Sequence, residues 1–265
     1  MNIFLKMIRV FKDSKFKISE NFSLHFINIE TYSSDLINLI KSEIVKVWDG
    51  DLSEYELSLV KNQIKRFFKE KTENQNYGFV AEFICHLYLR YIGFQQYSVL
   101  KNLEEIKAPK KGFDGLYEKD GIVWLIESKS ASPNRKTFVT HKNKVAEAYR
   151  DLKDKLEKNT SDENKNNPWE NAKSHFLYTQ KKDDSIFKHI NRLSISYEKQ
   201  DIMKIDDFNV IPCSTIYLDK DYCEINNVEL EKSLKSLLNR YKAKNMSVLC
   251  INKKDIKCFI NFIYE

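Results

Sequence analysis

The sequence predicts an α/β fold in which helices flank a mixed central sheet over residues 77–265, preceded by a smaller α+β region over residues 1–76. Three observations predict this. From residue 79 onward the apolar periodicity reads helix, strands, helix, strand, an order that builds a mixed sheet with helical cover. One segment, GFDGLYEKDGIVWLIESKS (Gly112 to Ser130), sets Asp120-Gly121 between two apolar runs, the strongest short hairpin signal. Gly and Pro are scarce, 6 and 4 in 265 residues, against roughly eighteen and thirteen at average usage. That scarcity excludes collagen-like, Gly-linker and Pro-rich classes. Neither G-x-G-x-x-G nor G-x-x-x-x-G-K-[ST] occurs, so a glycine-rich phosphate loop is excluded as well.

The elements follow in order. Residues 1 to about 33 read as short strands, with a β-rich piece at Leu24 to Thr31. Residues 34–48 carry Leu36, Ile37, Ile40, Ile44 and Val47 at helical spacing. Ser53-x-x-Glu56 has the form of a capping box and predicts a helix over about 54–71, with polar 71–76 as a loop. Phe79 to Phe94 is apolar around most of its circumference, as a buried helix is, with Gly93 as its stop. Tyr97 to Leu100, Gly112 to Tyr117 and Gly121 to Lys129 read as strands. Thr140 to Lys158 reads as a helix on Val145, Ala148, Leu152 and Leu156. Residues 159–173 read as a polar loop, 174–179 as a strand, 183–208 as helical and 210–218 as a strand. A helix over 229–243 and strands at 246–251 and 257–263 complete the chain.

Bulk composition narrows the class. Net charge is +6, which weakly favours an anionic partner, but 37 of the 44 basic residues are Lys in an Asn-rich, Ile-rich chain. That bias reduces the functional weight of the charge. The five Cys form no zinc spacing. Their odd number, with no secretory signal and no apolar run near the ~18 residues that span a bilayer, predicts a cytoplasmic protein with reduced thiols and no membrane partner.

The chemistry is sought in the hairpin. With Asp120-Gly121 as a two-residue type I′ loop, Lys119 faces Ile122, Leu116 faces Leu125, Gly115 faces Ile126, Asp114 faces Glu127 and Gly112 faces Lys129. Facing residues share one side of the sheet, where two carboxylates repel. A run as apolar as Ile122 to Ile126 suits a strand covered on both faces. Acids meeting at its end call for a cation, and carboxylate oxygens suit Mg²⁺ or Mn²⁺. Lys129, two residues beyond Glu127, shares its face. There an ammonium can orient or help deprotonate a water, or stabilise a developing phosphorane. Gly112 leaves room opposite. The pattern [DE]-x-K by itself is uninformative, since it occurs six times, at Asp13, Glu105, Glu127, Asp151, Glu163 and Asp255. Glu127-Ser128-Lys129 stands out by ending an apolar strand with an acid across the hairpin. The alternative is a solvated strand end with a Glu–Lys pair.

A helix bearing an acid, then Asp, then Glu-x-Lys on adjoining strands resembles the PD-(D/E)xK nuclease superfamily. AEFICHLYL (Ala81 to Leu89), GFDG (Gly112 to Gly115) and LIESKS (Leu125 to Ser130) further resemble the HamA family, effectors of the Hachiman anti-phage system. The likeness is best over about 79–158. It implies a restriction-endonuclease-like core, Asp114 and Glu127 as ligands of Mg²⁺ or Mn²⁺, Lys129 as the catalytic lysine and Glu82 as the acid of the first core helix. It also implies DNA as substrate, the helicase HamB as partner, and a docking role for residues 1–76. The usual Pro before the first Asp is replaced by Phe113. Glu82, His86 and Arg90, four apart, equally make an ordinary polar helix stripe. Residues 129–158 hold nine Lys/Arg against four acids. Arg135, Lys136, His141, Lys142 and Lys144 are therefore candidate phosphate contacts, the alternative being a solvated helix face. The competing functions are a non-catalytic DNA-binding or regulatory subunit on a nuclease fold, and a stand-alone restriction-type endonuclease.

Overall fold

The computed structural model of the chain describes residues 10–103, 112–133, 138–157, 167–180 and 185–265. Among these, seven strands and eight α-helices form a mixed α/β fold. In chain order they are β1 (Lys12–Lys17), β2 (Phe22–Ile29), α1 (Ser34–Asp49), α2 (Leu57–Glu70), α3 (Glu73–Tyr91), β3 (Gln95–Gln96), β4 (Gly115–Lys119) and β5 (Ile122–Ala131). Then come α4 (His141–Glu157), α5 (Pro168–Thr179), α6 (Ser185–Glu198), β6 (Asn209–Tyr217), α7 (Asn227–Leu238), β7 (Asn245–Lys253) and α8 (Lys257–Tyr264).

The strands join in one sheet of order β1-β2-β7-β6-β5-β4-β3. The four inner strands β2, β7, β6 and β5 are parallel, and the flanking pairs β1–β2, β5–β4 and β4–β3 are antiparallel. Alternation along the strands feeds two cores. Ile126, Ile211, Leu249 and Ile251 meet α1, α2, α3 and α8 on one face. Leu125, Val210, Met246 and Val248 meet α4 to α7 on the other. All nine residues of β6 are buried, which is why its sequence is apolar without strict alternation. Pro212 lies inside this strand. The β6–β7 register runs through Val210↔Met246 and resumes at Cys213↔Leu249; Pro212, which has no N–H to give, occupies the interval.

The sheet is continuous across the boundary expected at 76/77. β2 pairs with β7 along eight residues, and position 76 falls inside α3. Among the described residues no helix is long and apolar enough to cross a membrane.

Several local expectations are corrected. Ser53 does not cap a helix at 54; its hydroxyl donates to Asp49 Oδ2 at 2.6 Å, and α2 starts at Leu57 without a side-chain cap. The capping box is at Thr72 and Gln75, inside the segment read as a loop, and it opens α3 six residues earlier than expected. Residues 97–100 are not a strand. Their N–H groups bond individually, Tyr97 to the Leu116 carbonyl, Val99 to His175 Nδ1 and Leu100 to the Val47 carbonyl. The expected strand at 174–179 is the second half of α5, capped by Asn167 with Pro168 at its first position. That helix also takes the end of the expected loop; residues 158–166 lie outside the described residues. The expected last strand is α8, which buries Phe259, Phe262 and Ile263 at helical spacing. Finally, β5 is fully buried only at Leu125, Ile126, Glu127 and Ala131, since Ile122 is exposed and Val123, Trp124 and residues 128–130 are half-buried.

Candidate functional site

The hairpin adopts the expected register. Lys119↔Ile122 through Gly115↔Ile126 pair as the two-residue turn requires. Asp120 and Gly121 have φ of 53° and 75°, the left-handed conformation of both loop positions in a type I′ turn. The ladder ends at Gly115, so Asp114 and Glu127 are not a ladder pair. Instead the Asp114 carboxylate turns back and accepts from the Ser128 N–H, Oδ2 at 2.7 Å. Gly112 does not face Lys129 either; a Cβ there would sit 2.2 Å from Asn171 Oδ1 of α5. Gly115 is the glycine that the site needs. A Cβ on it would come within 2.2 Å of Ile126 Cγ2 and 3.2 Å of His86 Cε1, so its absence lets α3 seat against the hairpin.

Glu127 and Lys129 point to the α4 face of β5, and α4 answers them. Lys129 Nζ lies 3.0 Å from Glu127 Oε1 and 2.5 Å from Asp151 Oδ2. Lys155 Nζ lies 2.5 Å from Glu127 Oε2. The match is geometric. Four residues of helix rise ~6 Å, and two residues of strand advance ~6.6 Å. With α4 returning antiparallel to β5, Asp151 and Lys155 fall in step with Lys129 and Glu127. The Glu127 side chain is only 3% exposed, while those of Lys129 and Lys155 are 21% and 28%. Burial works to lower the Lys129 pKa, but the Glu127 charge, the hydrogen bonds that Lys129 donates to Asp151 and Glu127, and the Asp114 charge outweigh it and raise it. Lys129 is therefore held as an ammonium, which favours charge stabilisation over proton abstraction.

The remaining candidates are placed as follows. Glu82 lies on α3, on the opposite face of the sheet from Glu127 and Lys129, with its Oε1 3.6 Å from His86 Nε2. His86 Nδ1 in turn shares a hydrogen bond with the Tyr117 hydroxyl. Ser128, between the two site residues, faces α3, where its hydroxyl is 3.7 Å from Cys85 Sγ. Of the basic candidates, Arg135 and Lys136 lie outside the described residues. Lys142 donates to Ser236 at 3.2 Å and Lys144 pairs with Glu147 at 2.8 Å. His141 is buried and not a surface phosphate contact. It pins the start of α4 to the sheet, Nδ1 2.8 Å from Ser214 Oγ on β6 and Nε2 2.8 Å from Asn252 Oδ1 on β7. Asp151 and Lys155 were missed in the sequence. Their signal was an opposite-charge pair four apart, flanking the apolar stripe of Leu152 and Leu156.

The His141 anchor carries a pH prediction. Burial lowers its pKa to about 4, against a hydrogen bond to Asn252 Oδ1 that raises it. Burial likewise lowers that of His25 on β2 to about 4. Both folded values lie below the unfolded value of 6.5, so the unfolded chain binds more protons between those limits. Stability is intact above pH 6.5 and falls as pH drops toward 4, by up to ~1.4 kcal/mol per pH unit for each histidine. Urea unfolding at pH 7 and pH 5 checks this. His141→Gln should lose less stability over the interval than the unsubstituted chain, and equal losses contradict it.

The donor chemistry suits one kind of metal. Among the described residues no group of three or more His, Cys, Asp or Glu is placed to hold an ion. Asp114 and Glu127 beside Lys129 offer carboxylate oxygens alone. Mg²⁺ is commonly held by one or two carboxylates, with water and substrate phosphate completing its shell. The residues fit an ion of that class once Lys155 leaves Glu127 Oε2.

The profile of the HamA family matches residues 2–265, essentially the whole chain. The chain belongs to the HamA family. Membership makes it a protein of the Hachiman defence system. No curated protein matches the chain. The family match spans β1 to α8, so the Glu127–Lys129 pair and its α4 partners all lie within the HamA region.

Proposed function

We propose that this HamA protein is a divalent-metal-dependent deoxyribonuclease on a PD-(D/E)xK-like core, hydrolysing phosphodiester bonds under the control of a helicase partner. The observation that carries the reading is the Glu127–Lys129 pair on the α4 face of β5, with Asp114 bonded to the intervening Ser128 N–H. Asp114 and Glu127 would hold Mg²⁺ or Mn²⁺. Bound there, the ion would polarise the scissile phosphate and acidify a water. The Lys129 ammonium would stabilise the charge that develops on the phosphate, and Asp151 helps hold it in place. Lys142 and Lys144 stand near the start of α4, where DNA phosphates could draw them from Ser236 and Glu147.

A non-catalytic reading is favoured by one observation. Both Glu127 oxygens are already covered by ammoniums, as they would be in a purely structural ion-pair network. Incubating the purified chain with linear and plasmid DNA in Mg²⁺ or Mn²⁺, alone and with the helicase partner and ATP, separates the two. Metal-dependent cleavage that chelation abolishes supports the nuclease. No cleavage under any of these conditions supports the non-catalytic subunit. Discrete fragments without the helicase would indicate a stand-alone endonuclease.

A further inference from the structure

We infer that Lys155 is a built-in competitor of the divalent ion, its ammonium seated on the Glu127 oxygen that the ion needs, so that α4 sets how tightly the chain takes metal. The inference rests on the metal-dependent reading above.

Glu127 does not need two lysines for its own burial. Lys129 already meets Oε1 at 3.0 Å, and Lys155 adds a second ammonium on Oε2 at 2.5 Å. The two differ in how firmly they are kept. Lys129 is also tied to Asp151 at 2.5 Å. Lys155 has Glu127 as its ion-pair partner, is more exposed, and sits on a flexible four-carbon stem that can carry the ammonium into solvent.

The charge balance points the same way. Asp114, Glu127 and Asp151 set against Lys129 and Lys155 leave one net negative charge. A divalent ion entering beside Lys155 would reverse that sign in a partly dry site, where like charges repel more strongly than in water. With Lys155 withdrawn, the remaining four groups carry two negative charges, which a divalent ion neutralises. Metal entry and Lys155 departure are therefore linked, and whatever draws Lys155 off Glu127 raises metal affinity.

The test is Mn²⁺ binding to the full chain, read by electron paramagnetic resonance of the free ion, for the unsubstituted chain, Lys155→Met, Lys155→Arg and Glu127→Gln. Lys155→Met should bind Mn²⁺ about tenfold more tightly or better, Lys155→Arg should bind like the unsubstituted chain, and Glu127→Gln should bind weakly. Unsubstituted and Lys155→Met chains with equal affinity, both lost in Glu127→Gln, overturn the competitor role and leave the metal site standing. Failure of every chain to bind, with Glu127→Gln no different from the rest, overturns the metal site and the competitor with it. If circular dichroism shows Lys155→Met unfolded, Lys155→Gln is judged by the same criteria.

Discussion

Replacing Lys129 with Ala is expected to lower the single-turnover rate of DNA cleavage in saturating Mg²⁺ by about 10²–10³-fold, the loss typical of removing one preorganised charge from the transition state. The ammonium is preorganised in this structure. It is clamped between Glu127 and Asp151, and Asp114 adds a further favourable charge. The fold should survive, because the side chain is partly exposed and contributes to a network rather than to an apolar core. A thermal melt beside the kinetics separates the possibilities: a large rate loss at nearly unchanged stability is the expected pattern. A rate within threefold of the unsubstituted chain would remove Lys129 from the reaction.

Gly115→Ala is expected to destabilise the chain by about 3 kcal/mol, at the upper end of ordinary overpacking costs. The new methyl would meet Ile126 Cγ2 at 2.2 Å, Tyr117 Cε2 at 2.8 Å and His86 Cε1 at 3.2 Å. None of the three can step aside freely. Ile126 is β-branched and fully buried on β5, Tyr117 is fully buried on β4, and His86 is fully buried and bonded to that tyrosine. Relief requires Ile126 and Tyr117 to shift within the hairpin itself, disturbing the β4–β5 pairing that precedes Glu127. Urea unfolding checks the magnitude; a change below about 0.5 kcal/mol, the range of neutral surface substitutions, would mean that this contact is not tight.

The hairpin was the most legible part of the sequence, because its information is local. Asp120-Gly121 specifies the turn, the turn specifies the register, and the i, i+2 spacing puts Glu127 and Lys129 on one face. What lay beyond the last ladder pair was not legible, since Asp114 satisfies a backbone N–H rather than continuing the strand. The α4 half of the site is long-range. Asp151 and Lys155 acquire meaning only when the helix returns antiparallel to β5, a placement secured by His141 bridging Ser214 and Asn252. The misread elements share another cause. The aromatic-rich ends of α5 and α8 have strand-like composition, and their helical spacing, Trp169, Ala172 and Phe176 in one and Phe259, Phe262 and Ile263 in the other, decides the outcome. Thr72-x-x-Gln75 was hidden in a polar stretch that composition alone marks as loop.

The most direct test of the nuclease assignment is cleavage of end-labelled DNA by the unsubstituted chain and by Glu127→Gln, side by side in Mg²⁺ with the helicase partner present. The substitution keeps the shape of a side chain that is 3% exposed and removes the charge that would hold the ion. Cleavage by the first and none above background by the second is the expected result. Equal cleavage by both would contradict it.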